Sequence, residues 1–153
     1  MGADLYIEKI TNVTSKKWRK KWEEVCKIPF RGLSEEEQEK LRKKTDYYWD
    51  KMYPAKAYFR DSYNDSNLLW KFGISYWVDI NRAVDKRGLM SPDKTEGLLI
   101  LLRQRETIFK KNLRNSKSHS GNDEVEYFEK KYKRFKKFLN NAIKLNSSIR
   151  CSI

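Results

Sequence analysis

Histidine occurs once, cysteine twice, proline three times and glycine six times in 153 residues. A single histidine excludes a His-rich metal site. Cys26 and Cys151 lie far apart and form no CxxC motif. With no export signal in view, both are expected as reduced thiols. So little proline and glycine excludes collagen-like and low-complexity chains. The longest apolar run, Leu98–Leu102, is five residues, whereas a membrane-spanning helix needs about 20. The first residues hold neither a basic stretch nor a long apolar one, so no signal peptide is read and a cytoplasmic location is expected. The glycine-rich phosphate loops and the GxSxG nucleophile elbow are also missing. A helix-turn-helix, zinc-finger or RNP signature is missing as well.

What the chain has is aromatic residues and positive charge. Aromatics make up 14% of the residues, which argues for a packed core despite 36% charged residues. At this length one domain is expected, spanning residues 1–153, with no need of a disulfide or metal. Lys and Arg number 34 against 21 Asp and Glu, a net charge of +13. Residues 1–33, 91–121 and 122–153 each contribute +4, and residues 34–90 contribute +1.

Apolar periodicity predicts five helices. The first covers about Ser15–Lys27, with Trp18, Trp22, Val25 and Cys26 on one face. The second opens on the capping box Ser34-Glu35-Glu36-Glu37 and is limited by Pro54. The third begins near Asp65 or Asn67 and carries Leu69, Phe72, Tyr76, Ile80 and Ala83 as the centre of the core. The fourth has Ser91 as N-cap and Pro92 at N1, with Leu98, Leu101, Leu102, Arg105 and Phe109 on one face. A polar loop at 115–122 (NSKSHSGN) separates it from the fifth, whose stripe is Val125, Phe128, Tyr132, Phe135 and Leu139. At the two ends Leu5 and Ile7, and Ile149, Cys151 and Ile153, alternate with polar residues and read as short strands able to pair. The fold expected is mainly α: a compact bundle of about five helices, closed by pairing of the N- and C-terminal segments.

The segments GADLYI (Gly2–Ile7), YFRDSYN (Tyr58–Asn64), NLLW (Asn67–Trp70) and the terminal CSI (Cys151–Ile153) make the chain resemble a family of small prokaryotic proteins of unknown role. The resemblance covers most of the chain, implies one structural unit and carries no activity, cofactor or site residue with it.

Two segments interleave cations with aromatics. One is Lys16-Lys17-Trp18-Arg19-Lys20-Lys21-Trp22, and the other runs from Lys130 through Lys133, Arg134 and Lys137 to Phe138. Such surfaces neutralise phosphates and release counterions, giving salt-dependent, largely sequence-independent affinity. They equally suit the solvated face of a helix whose aromatics fill the core. The leading expectation is a non-enzymatic binding protein without cofactor. It docks Lys16, Lys17, Arg19, Lys20, Lys130, Lys133, Arg134 and Lys137 on nucleic acid or on an acidic protein surface, as an accessory or inhibitory factor. A membrane partner is disfavoured, because the bundle needs its aromatics for its own core.

The alternative is a small enzyme with a polar-aromatic pocket at Tyr58, Arg60, Asp61, Tyr63 and Asn64. A structural role fits the same residues: Arg60 paired with a carboxylate, Asp61 or Asn64 satisfying turn amides, Asp65 capping the next helix. The sole histidine, His119, falls in the polar loop and is expected to be solvated. Metal binding would rest on the carboxylate pairs Asp46/Asp50 and Asp61/Asp65, for which nearby cations make salt bridges the better expectation.

Overall fold

The computed structural model describes residues 2–62, 67–120 and 122–153, with the side chains of 116–120 and 122 also left aside. Helix accounts for 67% of it, in seven helices, beside a four-stranded antiparallel sheet. The chain runs β1 (Gly2–Ile7), α1 (Glu8–Cys26), α2 (Glu35–Met52), β2 (Tyr58–Ser62) and α3 (Leu68–Lys71). A π-helical turn (Tyr76–Ile80) then passes into α4 (Asn81–Ala83), followed by β3 (Leu89–Met90), α5 (Pro92–Gln104), α6 (Glu106–Ser120), α7 (Asn122–Lys144) and β4 (Ile149–Ser152). The expected five-helix bundle thus becomes a helical layer on one face of a small sheet.

The sheet order is β2-β1-β4-β3. The two chain ends do pair: Leu5 lies opposite Cys151 and Ile7 opposite Ile149. On the other side of β1, Leu5 faces Phe59 and Asp4 faces Arg60. Side chains alternate across a strand, so Ala3, Leu5, Ile7, Phe59, Ile149 and Cys151 are buried on the helix side. The opposite face carries Asp4, Tyr6, Tyr58, Arg60 and Arg150. The strand β2 is an addition to the expected architecture. An inward Asp61 interrupts what would otherwise be a legible apolar alternation.

α7 packs against the inner face, α5 and α6 pack on α7 in turn, and α6 and α7 form an antiparallel pair. Phe72 stacks on Phe109 at 4.4 Å, and Phe59 meets Phe135 at 4.5 Å. The expected core trios Phe72, Tyr76, Ile80 and Leu98, Leu102, Phe109 are all buried.

The third helix is not continuous. Gly73 adopts φ +67. Its amide donates to the Trp70 carbonyl and that of Ile74 to the Leu69 carbonyl, which is the Schellman closure of α3. Helix resumes only at the π-turn, where Ser75 Oγ accepts from the Val78 amide and Asp79 Oδ2 from the Ser75 amide. The apolar residues reach the core from two short pieces, leaving Trp70 and Trp77 exposed. Arg105 spans the break by donating to the Gly73 carbonyl at 2.7 Å. The polar segment 115–122 is also corrected: α6 extends to Ser120 and α7 opens at Asn122. Polar composition alone does not prevent a helix when one face is anchored by Phe109 and Leu113.

The helices α1 and α2 form a separate antiparallel arm. Its interface is made of Trp18 on Tyr48, Trp22 on Trp49, and Thr14 Oγ1 donating to the Met52 carbonyl at 2.6 Å. Only Ile10 of the arm packs against the main core. The first helix starts at Glu8 rather than Ser15, and within its first two turns Thr11 and Thr14 place their hydroxyls on the carbonyls of Ile7 and Ile10. That stretch therefore shows no apolar stripe to read.

Truncating Phe72 to Ala should lower stability by about 3–5 kcal/mol, and Gly73→Ala by about 1–2 kcal/mol because a Cβ disfavours the left-handed region. Urea denaturation followed by circular dichroism measures both. A near-neutral Gly73→Ala would mean that the break is not imposed there.

Candidate anion-binding surface

Two neighbouring residues of β2 face opposite ways. Asp61 is 3% exposed. It accepts from Lys131 Nζ at 2.6 Å, the Ser62 amide at 2.9 Å, the Leu68 amide at 2.9 Å and the Tyr76 hydroxyl at 3.0 Å. Lys131 also lies over the Tyr127 ring at 5.3 Å. Arg60 instead faces outward, 3.7 Å from Asp4 and largely exposed. Tyr58 shares that outer face and donates its hydroxyl to Asp4 at 2.6 Å. Tyr58, Arg60 and Asp61 are therefore not brought into one pocket, and Tyr63 and Asn64 lie outside the described residues. The cation of Asp61 is Lys131, not the adjacent Arg60.

The outer sheet face forms an aromatic cluster. Tyr6 stacks on Tyr58 at 5.3 Å and meets Tyr53 at 5.0 Å, and Trp49 meets Tyr53 at 4.5 Å. Burial, reinforced by Asp4, pushes the Tyr6 phenol up to about 12. Between this face and α1 lies a concavity of about 360 Å³ that Tyr6, Ser15, Arg19, Tyr53 and Arg150 help to line. Both guanidiniums there are engaged: Arg150 with Glu8 at 2.6 Å and Arg19 with Glu23 at 3.9 Å.

The two basic clusters fare differently. On α1, Lys17 and Lys21 lie over the Trp18 ring at 5.4 and 5.2 Å, so their stems cover the exposed edge of the arm interface. Lys16, Lys17, Arg19 and Lys20 are all exposed. On α7 the apolar residues Phe128, Tyr132, Phe135 and Leu139 turn inward and are buried. By the 3.6-residue repeat, Lys130, Lys133, Arg134, Lys137 and Lys144 then share the outward face. Lys130 pairs with Glu126 one turn earlier. Among the described residues no ion pair engages Lys133, Arg134 or Lys137. Residues 130–153 hold eight Lys and Arg and not one Asp or Glu.

Beside this face, Ala55, Lys56, Arg134, Lys137, Phe138 and Asn141 line a concavity of about 350 Å³. Lys56 reaches it from the turn before β2. Asn141 Nδ2 donates to the Lys56 carbonyl at 3.3 Å, and the Ala57 carbonyl accepts from the Ile7 amide at 2.9 Å. Three cations thus converge there without a carboxylate in the lining. Lys56 escaped sequence reading, since nothing local distinguishes it. No ion pair or hydrogen bond among the described residues joins the α1 and α7 clusters. No group of three or more His, Cys, Asp or Glu able to hold a metal occurs among the described residues, and no helix there is long and apolar enough to cross a membrane.

No protein-family model, curated protein or solved structure matches the chain. Functional inference therefore rests on the chemistry of its own residues.

Replacing Asp61 by Ala leaves the Lys131 ammonium buried without its carboxylate, and stability should fall by about 3–5 kcal/mol. Adding Lys131→Met should recover a large part of that loss, as read from denaturation midpoints of the single and double variants. The thiols should also differ. Burial raises the Cys151 thiol to about 12, whereas Cys26 is exposed at the end of α1. A thiol-specific chromogenic disulfide should titrate one thiol in the native protein and two after unfolding. Two native thiols would place Cys151 at the surface.

Proposed function

We propose that this chain is a non-enzymatic binding protein that docks the outward face of α7 on an anionic partner, with the phosphate backbone of a nucleic acid as the favoured one. The observation that carries the reading is the set Lys56, Arg134 and Lys137, which converge on one concavity with no acidic neighbour in its lining. Unpaired like charges repel one another and stabilise nothing in the fold, so an anion that neutralises them gains what the isolated protein lacks. The absence of Asp and Glu after Glu129 leaves the stretch of that face beyond Lys130 without a carboxylate of its own helix to compete with such an anion. Lys133 and Lys144 extend the contact along the helix. Lys16, Lys17 and Lys20 form a second basic surface on the arm, with less to support it because Lys17 is already seated on Trp18.

Fluorescence anisotropy with a labelled 20-nucleotide oligonucleotide across a salt series tests this reading. Affinity should drop steeply with salt. The double variant Arg134→Gln/Lys137→Gln should flatten the slope of log K against log salt by about 2, one for each lost phosphate contact. The loss should be alike for different base sequences, since phosphate contacts carry no sequence information. Charge reversal at Lys16, Lys17 and Lys20 should weaken binding less. A polyglutamate of equal charge that binds as tightly as the oligonucleotide would shift the partner to an acidic protein surface. No binding of either at low salt would refute the proposal.

A further inference from the structure

We infer that the concavity between α7 and the turn before β2 is a site for a terminal phosphate monoester of a nucleic acid strand, a deepening that rests on the function proposed above. A phosphodiester carries one negative charge and continues on both sides. It therefore suits an open face such as the line of Lys130, Lys133 and Lys144. A terminal monoester carries close to two charges at neutral pH and continues on one side only, so it can enter a recess. Here the recess offers the guanidinium of Arg134 and the ammonium groups of Lys56 and Lys137. A planar guanidinium fork and two point charges suit a dianion with three terminal oxygens.

The volume, about 350 Å³, exceeds what a phosphate alone fills and leaves room for the sugar attached to it. Phe138, 3% exposed and packed on Phe59 and Phe135, provides an apolar floor under that sugar. The walls are preorganised from two directions. Arg134 and Lys137 stand on successive turns of a helix whose opposite side is fixed in the core. Lys56 is held by its own carbonyl, which accepts from Asn141 of the same helix. Its turn is tied to β1 through the next carbonyl, that of Ala57. The recess is therefore part of the scaffold and needs no rearrangement to receive a ligand.

The test compares one 12-nucleotide single strand prepared with a 5′-phosphate, with a 3′-phosphate, and with hydroxyls at both ends, by anisotropy at a single salt concentration. One phosphorylated form should bind about tenfold tighter than the hydroxyl form, a charge-assisted pair of contacts being the difference. Lys56→Gln should abolish that preference and weaken the hydroxyl strand by no more than the loss of one phosphate contact. Lys144→Gln should weaken all three strands alike and leave the preference intact. Circular dichroism of both variants checks that they are folded, which exposed positions favour. Equal affinity for all three strands would overturn the terminal-phosphate site while the anionic-partner reading stands. Failure of all three to bind at low salt would overturn both. A preference that survives Lys56→Gln would place the terminal phosphate elsewhere and overturn the site as well.

Discussion

The carboxylate of Asp61 is the point on which the described parts of the fold converge. It sits on an edge strand, accepts the amide that opens α3, accepts the hydroxyl of the first residue of the π-turn and neutralises an ammonium from α7. A buried charge is costly unless it is paired and its remaining lone pairs are satisfied. Both conditions are met here by groups from four elements. Its contribution is therefore directional: an apolar side chain at this position would fill the space without specifying which helix end, which turn and which face of α7 must meet β2. Lys131 is at the same time the most deeply withdrawn member of the α7 basic run, so the knot also helps to set the rotation of that helix. With Phe128, Tyr132, Phe135 and Leu139 turned inward and Lys131 on the flank of that stripe, Arg134 and Lys137 face out.

That rotation explains which parts of the molecule were legible in the sequence. Strongly periodic stretches declared themselves. The capping box at Ser34 is formed, with Ser34 Oγ accepting from the Glu37 amide and Glu37 returning to the Ser34 amide. Ser91 caps α5 through the Lys94 amide. The end strands pair as their alternation suggests. The losses came where one residue breaks a pattern for a tertiary reason. Asp61 hides β2 because its burial depends on Lys131, 70 residues away. Gly73 lies within an apolar stripe, although a glycine followed by an apolar residue, as in Phe72-Gly73-Ile74, is the sequence mark of a Schellman end. The polarity of segment 115–122 suggests a loop, whereas the helical state of 115–120 goes with the pairing of α6 with α7.

The candidate site was legible only in its α7 half. Arg134 and Lys137 stand in a visible basic run, but that run does not distinguish Lys131, which is consumed internally, from its neighbours. Helical phase separates them, and phase is fixed by long-range contacts. Lys56 carried no signal at all. It becomes a neighbour of Arg134 because β2 packs its Phe59 on Phe135 and so lays the preceding turn along α7.

The same comparison separates the two basic regions by physics rather than by charge count. On the arm, positive charge is dispersed among carboxylates of the same helices, as in Glu36 with Lys40, Glu39 with Lys43 and Glu23 with Arg19. Exposed pairs of this kind contribute little to stability, but they lower the local field. Beyond Glu129 the chain offers no such compensation. Glu126 is taken up by Lys130 at the start of the run; the other acidic groups along α7 include Glu106, held by the Tyr132 hydroxyl at 2.7 Å and by Lys136, and Glu129 on its flank. Both sit toward α6 and leave the Lys56 side uncompensated. Sequence segregation of charge thus becomes spatial segregation, because one helix carries its cations on the face that its own core residues turn away from the molecule. Beyond the Glu126–Lys130 pair, an anion approaching that face meets no side-chain carboxylate of α7, next to a recess lined by Lys56, Arg134 and Lys137.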